Sequence, residues 1–250
     1  MKFKDEVVVI TGAGSGIGKA TAIEFGRLGA IVIASDLSIE KAQATADSIL
    51  ESGGQAISLK ADVSSDVDVK HLIDTALSKY GQVDHMINNA GIDLGMNFFD
   101  ETSNEHWEKT IAINQTGVFY CMRAALKVMM KNKKGSIVNV ASAAGIRSAP
   151  RMGAYAASKH AVVGMTKTAA FEYGKYNIRV NAVCPTVIET PMGMKYMHKN
   201  EELKNLMLRT VPMRRFGQSE EVAQAICWLS SRDASYLNGV ALPVDGGSNA

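Results

Sequence analysis

The sequence predicts an α/β protein, a doubly wound parallel sheet of seven strands with helices on both faces. Three observations lead there. Short apolar runs alternate with stretches of helical period along the whole chain. The apolar runs are hydrophobic at successive positions rather than at alternate ones, as in Glu6–Thr11 (EVVVIT) and Ala30–Ser35 (AIVIAS), so both faces of each strand must be covered. The length, 250 residues, suits one large domain, and no linker, repeat or low-complexity run divides it.

The first strand, Glu6–Thr11, leads through a glycine-rich turn into a helix over Ile17–Leu28, which Gly29 ends. Ala30–Ser35 is the second strand. Ser38 is placed to cap a helix over Ser38–Glu51. Gln55–Lys60 is the third strand, Asp66–Tyr80 the helix after it, and Gly81 the stop. Val83–Ile87 is the fourth strand, and Glu105–Met130 reads as one long helix. Ser136–Ala141 is the fifth strand, and Gly153–Tyr173 the helix that follows. Ile178–Val183, a helix over Ser219–Leu229 and a last strand over Val240–Val244 complete the pattern. Pro185–Gly217 is irregular and carries five of the 13 methionines: Met192, Met194, Met197, Met207 and Met213. Right-handed crossovers place ligands at the carboxyl ends of such strands.

Composition excludes several functions. A formal net charge of +2 creates no field suited to nucleic acid or an anionic membrane. No apolar run is long enough to span a bilayer, and no signal peptide is visible. Cys121, Cys184 and Cys227 are odd in number and widely spaced, which fits a reduced, cytoplasmic protein with buried thiols. With no CxxC or HExxH and scattered histidines, no metal is expected.

Two motifs carry chemistry. The first strand runs into Thr11-Gly12-Ala13-Gly14-Ser15-Gly16-Ile17-Gly18. Glycines at 12, 16 and 18 allow a tight turn and a close backbone approach, and the following helix offers free N–H groups to a pyrophosphate. Asp36 ends the second strand. Its carboxylate suits the two ribose hydroxyls of NAD and repels the 2′-phosphate of NADP. At about 4 Å and an effective dielectric near 20, each unit of like charge costs up to ~4 kcal/mol. Its neighbours Ser15 and Leu37 are uncharged, so NAD is expected. The second motif is Tyr155 and Lys159, four apart on one helix face. A unit charge about 5 Å away at that dielectric is worth roughly 3 kcal/mol, enough to bring a phenol from ~10 to about 8.

Together these motifs make the chain resemble the short-chain dehydrogenase/reductase family in its single-domain branch, from Thr11 to Gly247. The resemblance implies a Rossmann fold, one domain over 1–250 and a substrate lid at about 186–217. It implies cofactor contacts at Gly12, Ser15, Gly16, Ile17, Gly18, Asp36, the pair Asp62 and Val63, and Asn89, Ala90 and Gly91 of an NNAG motif. Tyr155, Lys159, Pro185, Thr186, Val187, Ile188 and Thr190 complete that set. The catalytic group it implies is Asn114, Ser142, Tyr155 and Lys159. Tyr155 acts as general acid or base, Lys159 lowers its pKa and holds the ribose, Ser142 binds the substrate oxygen, and Asn114 holds a water that links Lys159 to solvent. The family's usual Pro-Gly after the sixth strand is Pro185-Thr186 here, which alters the edge of the nicotinamide site.

The implied reaction is hydride transfer between NAD and a secondary alcohol/ketone pair, and the expected substrate is an apolar small molecule, of which cyclic alcohols and ketones are one class, lined by Leu94, Ile146, Met152 and Met192. Arg147 and Arg151 are the cations that could clamp an anionic substrate. The resemblance implies a homotetramer through Gly153–Tyr173 and the long helix Glu105–Met130 before it; Ala156, Ala157, Ala161, Gly164 and Ala169 of Gly153–Tyr173 permit close packing there. Two alternatives stand: a 3-oxoacyl-carrier-protein reductase using NADPH, which Asp36 opposes, and a non-catalytic dinucleotide sensor or scaffold, which the complete catalytic set opposes.

Overall fold

The computed structural model describes residues 1–195 and 201–250. Seven parallel strands form one sheet in the order β3-β2-β1-β4-β5-β6-β7. They are β1 Val7–Thr11, β2 Ile31–Asp36, β3 Gln55–Lys60, β4 His85–Asn88, β5 Gly135–Val140, β6 Ile178–Pro185 and β7 Ala241–Val244. The expected class and strand count hold. Alternate residues of each strand serve opposite faces. Val7 and Val9 join a core with α3 (Asp66–Tyr80), α5 (Gly117–Asn132) and α6 (Gly153–Tyr173). Val8 and Ile10 join a second core with α1 (Gly16–Arg27), α2 (Ile39–Glu51) and α9 (Ser219–Ser230). Two faces buried under helices explain why these strands are apolar throughout.

Ser38 caps α2 as expected, accepting the Lys41 N–H at 3.3 Å, and Ser65, which the sequence reading did not single out, caps α3 by accepting the Asp68 N–H at 3.3 Å. Gly81, at φ 74°, closes α3.

Two elements differ from the sequence reading. The long helix is broken. α4 (Asn104–Ile111) passes through a π turn at Ala112–Thr116 before α5 begins. The cause is tertiary: the buried Asn114 amide accepts the Ile92 N–H at 2.8 Å and donates to the Ile92 carbonyl at 2.9 Å. Those bonds tie the helix to the loop after β4, and widening one turn accommodates them. The stretch Pro185–Gly217 also holds two helices, α7 (Pro191–Met194) and α8 (Glu201–Arg209). Thr190 caps α7 through the Gly193 N–H at 2.9 Å. Met197 lies outside the described residues. Among the described residues, no helix is long and apolar enough to cross a membrane.

Candidate active site at the carboxyl edge of the sheet

The sheet order reverses its winding at β1, which pairs with β2 on one side and β4 on the other. Loops that leave β1 and β4 here turn to opposite faces and open a crevice. A cleft of about 830 Å³ occupies it.

At one end of the cleft the glycine turn joins β1 to α1. Gly12 and Gly16 take positive φ, 64° and 51°. A Cβ on Gly18 would stand 2.1 Å from the Gly12 carbonyl, so Gly18 lets α1 sit against the turn but does not itself line the cleft. Ser15, the residue before α1, makes no side-chain cap, which leaves the first turn of the helix open toward the cleft. Asp36 lies beside it. Its oxygens accept the N–H groups of Gly14 at 2.9 Å and Ser38 at 3.0 Å. A Cβ on Gly14 would come within 2.8 Å of that carboxylate. An open helix N-terminus, a backbone without side chains and a carboxylate held rigid at the strand end fit a dinucleotide. Asp62, Val63, Asn89, Ala90, Gly91 and the segment Pro185–Ile188 with Thr190 line the same cleft. Asn89 is fixed by donating to the carbonyls of Thr11 and Gly12, each at 3.0 Å.

At the other end, β5 delivers Ser142 and α6 delivers Tyr155 and Lys159. Ser142 Oγ accepts the Ala144 N–H at 3.1 Å, which leaves its own O–H to donate. The Tyr155 phenol is pushed up to about 12, first by burial; the Ser142 hydroxyl opposes that rise and Asp93 adds to it. Lys159 is not the group that lowers it. Its Nζ donates to the Val140 carbonyl at 2.8 Å and lies over the Tyr155 ring, 5.6 Å from the centroid. This corrects the expectation that Lys159 alone brings the phenol to about 8. The ammonium is itself almost fully buried, and that desolvation pushes it down to about 8.

Asn114 stands behind the cleft wall, fully buried. A Cβ placed on Gly91 would be 3.2 Å from Asn114 Oδ1 and 3.6 Å from Lys159 Nζ. The space over Gly91 therefore faces both groups.

The substrate residues divide. Met152 and Met192 line the cleft. Leu94 and Ile146 do not; both are exposed. Each lies on a loop whose path the sequence pattern does not set, and from the loop after β4 it is Asp93 and the exposed Met96 that border the cleft instead. Met207 and Thr210 reach the cleft from α8 and just beyond it. Asp93 and Met96 had no sequence signal beyond their nearness to the NNAG motif. Arg147 also lines the cleft, with Nη1 donating to the Ser248 carbonyl at 3.0 Å, whereas Arg151 lies over the Phe98 ring at 4.3 Å.

A family described as Enoyl-(Acyl carrier protein) reductase matches residues 12–249. Levodione reductase from Leifsonia aquatica is 38% identical over 100% of this chain and 96% of its own. Cyclohexanol dehydrogenase from an Acinetobacter species is 40% identical over 98% and 95%. The chain belongs to the short-chain dehydrogenase/reductase family. The structure of an NAD⁺-bound xylitol dehydrogenase superposes with a TM-score of 0.93 at 32% identity, covering 99% of this chain and 100% of that one. This family member is an oxidoreductase acting on CH–OH donors, with a site for a dinucleotide cofactor. Its cleft at the β1/β4 switch point is where that fold places the cofactor. Among the described residues, no three His, Cys, Asp or Glu side chains are grouped to hold a metal.

Proposed function

We propose that the enzyme interconverts a secondary alcohol on an apolar ring and the matching ketone, using NAD in preference to NADP. The observation that carries this reading is the convergence of Ser142 and Tyr155 on a cleft whose other end holds the Asp36 carboxylate beside an open helix N-terminus. Bound NAD supplies the hydride acceptor. The chain's own residues handle the proton and the position of the oxygen. Tyr155 takes the alcohol proton in oxidation and returns it in reduction. The Ser142 O–H donates to the substrate oxygen as negative charge develops there. Lys159, buried and held on the Val140 carbonyl, places a cation over the ring of Tyr155, and with Asn114 it faces the space over Gly91 in which a water can pass protons. The methionines Met96, Met152, Met192 and Met207 supply an adaptable apolar wall, and the names of the two relatives support a cyclic substrate. In this reading the segment 186–217 is the substrate lid of a one-domain enzyme.

Two further elements belong to the reading. Asp36 rejects the 2′-phosphate of NADP, since both its oxygens are pinned by backbone N–H groups and cannot swing away. The assembly is a homotetramer through α6, where Ala157 and Gly164 are exposed; Ala169, expected on that face, is buried within the chain's own core and contributes nothing there. The three buried, unpaired thiols suit a cytoplasmic setting.

The test is a panel of cyclic alcohols and ketones with NAD(H) and NADP(H), followed by absorbance of the reduced nicotinamide. NAD⁺ should exceed NADP⁺ by at least about 100-fold in kcat/KM, the size expected for one uncompensated like charge. Equal efficiency with the two would refute the role of Asp36. Tyr155→Phe should lower kcat by about 10³-fold while NADH still binds, as read by its fluorescence. Activity near that of the parent enzyme would sink the assignment of Tyr155.

A further inference from the structure

Asp93 stands in the cleft with no part in the chemistry above. It lies on the loop that leaves β4, two residues beyond Gly91. Its Oδ1 accepts the Gly95 N–H at 3.0 Å, across a turn in which Gly95 takes φ 126°. That bond fixes the direction of the carboxylate. Among the described residues, no hydrogen bond or ion pair holds its second oxygen. Arg147, the cation on the same wall, is engaged by the Ser248 carbonyl. The surroundings include Met96, Met152 and Met192, and the Asp93 charge is felt at the Tyr155 phenol. This half-buried carboxylate borders a cleft with methionines in its lining, and its second oxygen, open to the cleft and unmatched among the described residues, is available to a donor that a ligand supplies.

The geometry points to Asp93 as a specificity-determining residue: its free oxygen accepts a hydrogen bond from a second hydroxyl of the substrate. The preferred substrates are then cyclic diols and hydroxyketones rather than simple cyclic alcohols. The inference rests on the alcohol–ketone reading and names the substrate class within it. The hydroxyl that binds Asp93 keeps its proton and its oxidation state; only the carbon facing Ser142 and Tyr155 reacts. A site built to accept a hydroxyl also discriminates against the analogue that lacks it, because a charged group is left unpaired.

Cyclohexanol and the 1,2-, 1,3- and 1,4-cyclohexanediols, with NAD⁺, provide the test. The parent enzyme should favour at least one diol over cyclohexanol by about 10-fold or more in kcat/KM, the lower range for a hydrogen bond to a charged group. Asp93→Ala should reduce that preference to within about 3-fold, and Asp93→Glu should restore part of it. A second readout is the pH profile. Asp93→Asn removes a negative charge that opposes the phenolate, so the acid limb of cyclohexanol oxidation should move to lower pH. A parent enzyme that oxidises cyclohexanol but prefers no diol overturns the role of Asp93 alone, as does an Asp93→Ala variant that keeps the preference. An enzyme that oxidises none of the four overturns the alcohol–ketone reading, and this inference with it.

Discussion

The two ends of the sheet treat their charges in opposite ways. At the amino end of the strands, Glu6 accepts from His85 Nε2 at 2.8 Å and from Lys134 Nζ at 3.1 Å. Lys134 also reaches Asp84 at 3.0 Å, and Asp84 accepts the Val7 N–H at 2.9 Å. Phe3 and Phe25 cover His85, with ring centroids 5.2 and 5.8 Å away. Each charge there is matched by another, and the His85 bond, followed by the Lys134 ammonium, holds the Glu6 carboxyl down at about 2. At the carboxyl end, among the described residues, Asp36 has only backbone donors, Lys159 only a backbone acceptor, and Asp93 only one of its oxygens matched. The difference teaches where the fold is held together and where it is kept ready. Charges paired within the chain stabilise it, whereas charges left to a ligand cost stability until the ligand arrives.

The contrast can be broken in three ways. The largest effect should come from Gly91→Ala at the carboxyl end. The added methyl enters the space between Asn114 Oδ1 and Lys159 Nζ, and kcat should fall by about 10²-fold. A fall of less than about 2-fold would show that this space carries no proton or positioning role.

Glu6→Gln probes the amino end. The folded carboxyl titrates near 2, below the ordinary value of 4.5, so its contribution is present above about pH 4.5 and is lost as pH falls toward 2. The variant should lose about 2–3 kcal/mol at pH 7 in urea unfolding, with kcat unchanged, and the gap between variant and parent should close by about pH 2. A gap that is the same at pH 3 and pH 7 would mean that ion pairing is not what Glu6 supplies.

The smallest effect, and opposite in sign, belongs to Lys159→Met. Here the folded pKa, about 8, lies below the unfolded 10.5. The unfolded chain binds more protons between those values, so the cost of the buried ammonium is full below pH 8 and relieved as pH rises to 10.5. The inactive variant should be about 1–3 kcal/mol more stable at pH 7, with the gain fading by pH 10.5. A variant less stable than the parent at pH 7 would erase the contrast between the two ends.

Much of this arrangement was legible in the chain. Asp66–Tyr80 and Gly153–Tyr173 begin and end where periodicity, caps and glycine stops place them, because those signals are local. The glycine turn and the Tyr155/Lys159 spacing were legible for the same reason, since a backbone without Cβ atoms and a four-residue helical step act over a few residues. The π turn was not. It exists because Asn114 meets Ile92 across 22 positions, and the helical period on either side is undisturbed. Leu94 and Ile146 pointed wrongly into the pocket because hydrophobicity says that a loop side chain wants cover, not which way the loop turns. The helices within Pro185–Gly217 were hidden by proline, glycine and polar residues that mask a short helical period.

The sequence by itself determined the parallel sheet, the order of its strands and helices and the dinucleotide turn, and it pointed to the proton-transfer group we propose, since each follows from periodicity or from chemistry over short spacings. Tertiary structure alone decided the electrostatics. Lys159 is drawn to the Val140 carbonyl, Tyr155 is governed by burial and Ser142, and Asp93 is turned into the cleft. Desolvation and charge depend on what surrounds a group in three dimensions, and no spacing along the chain contains that information.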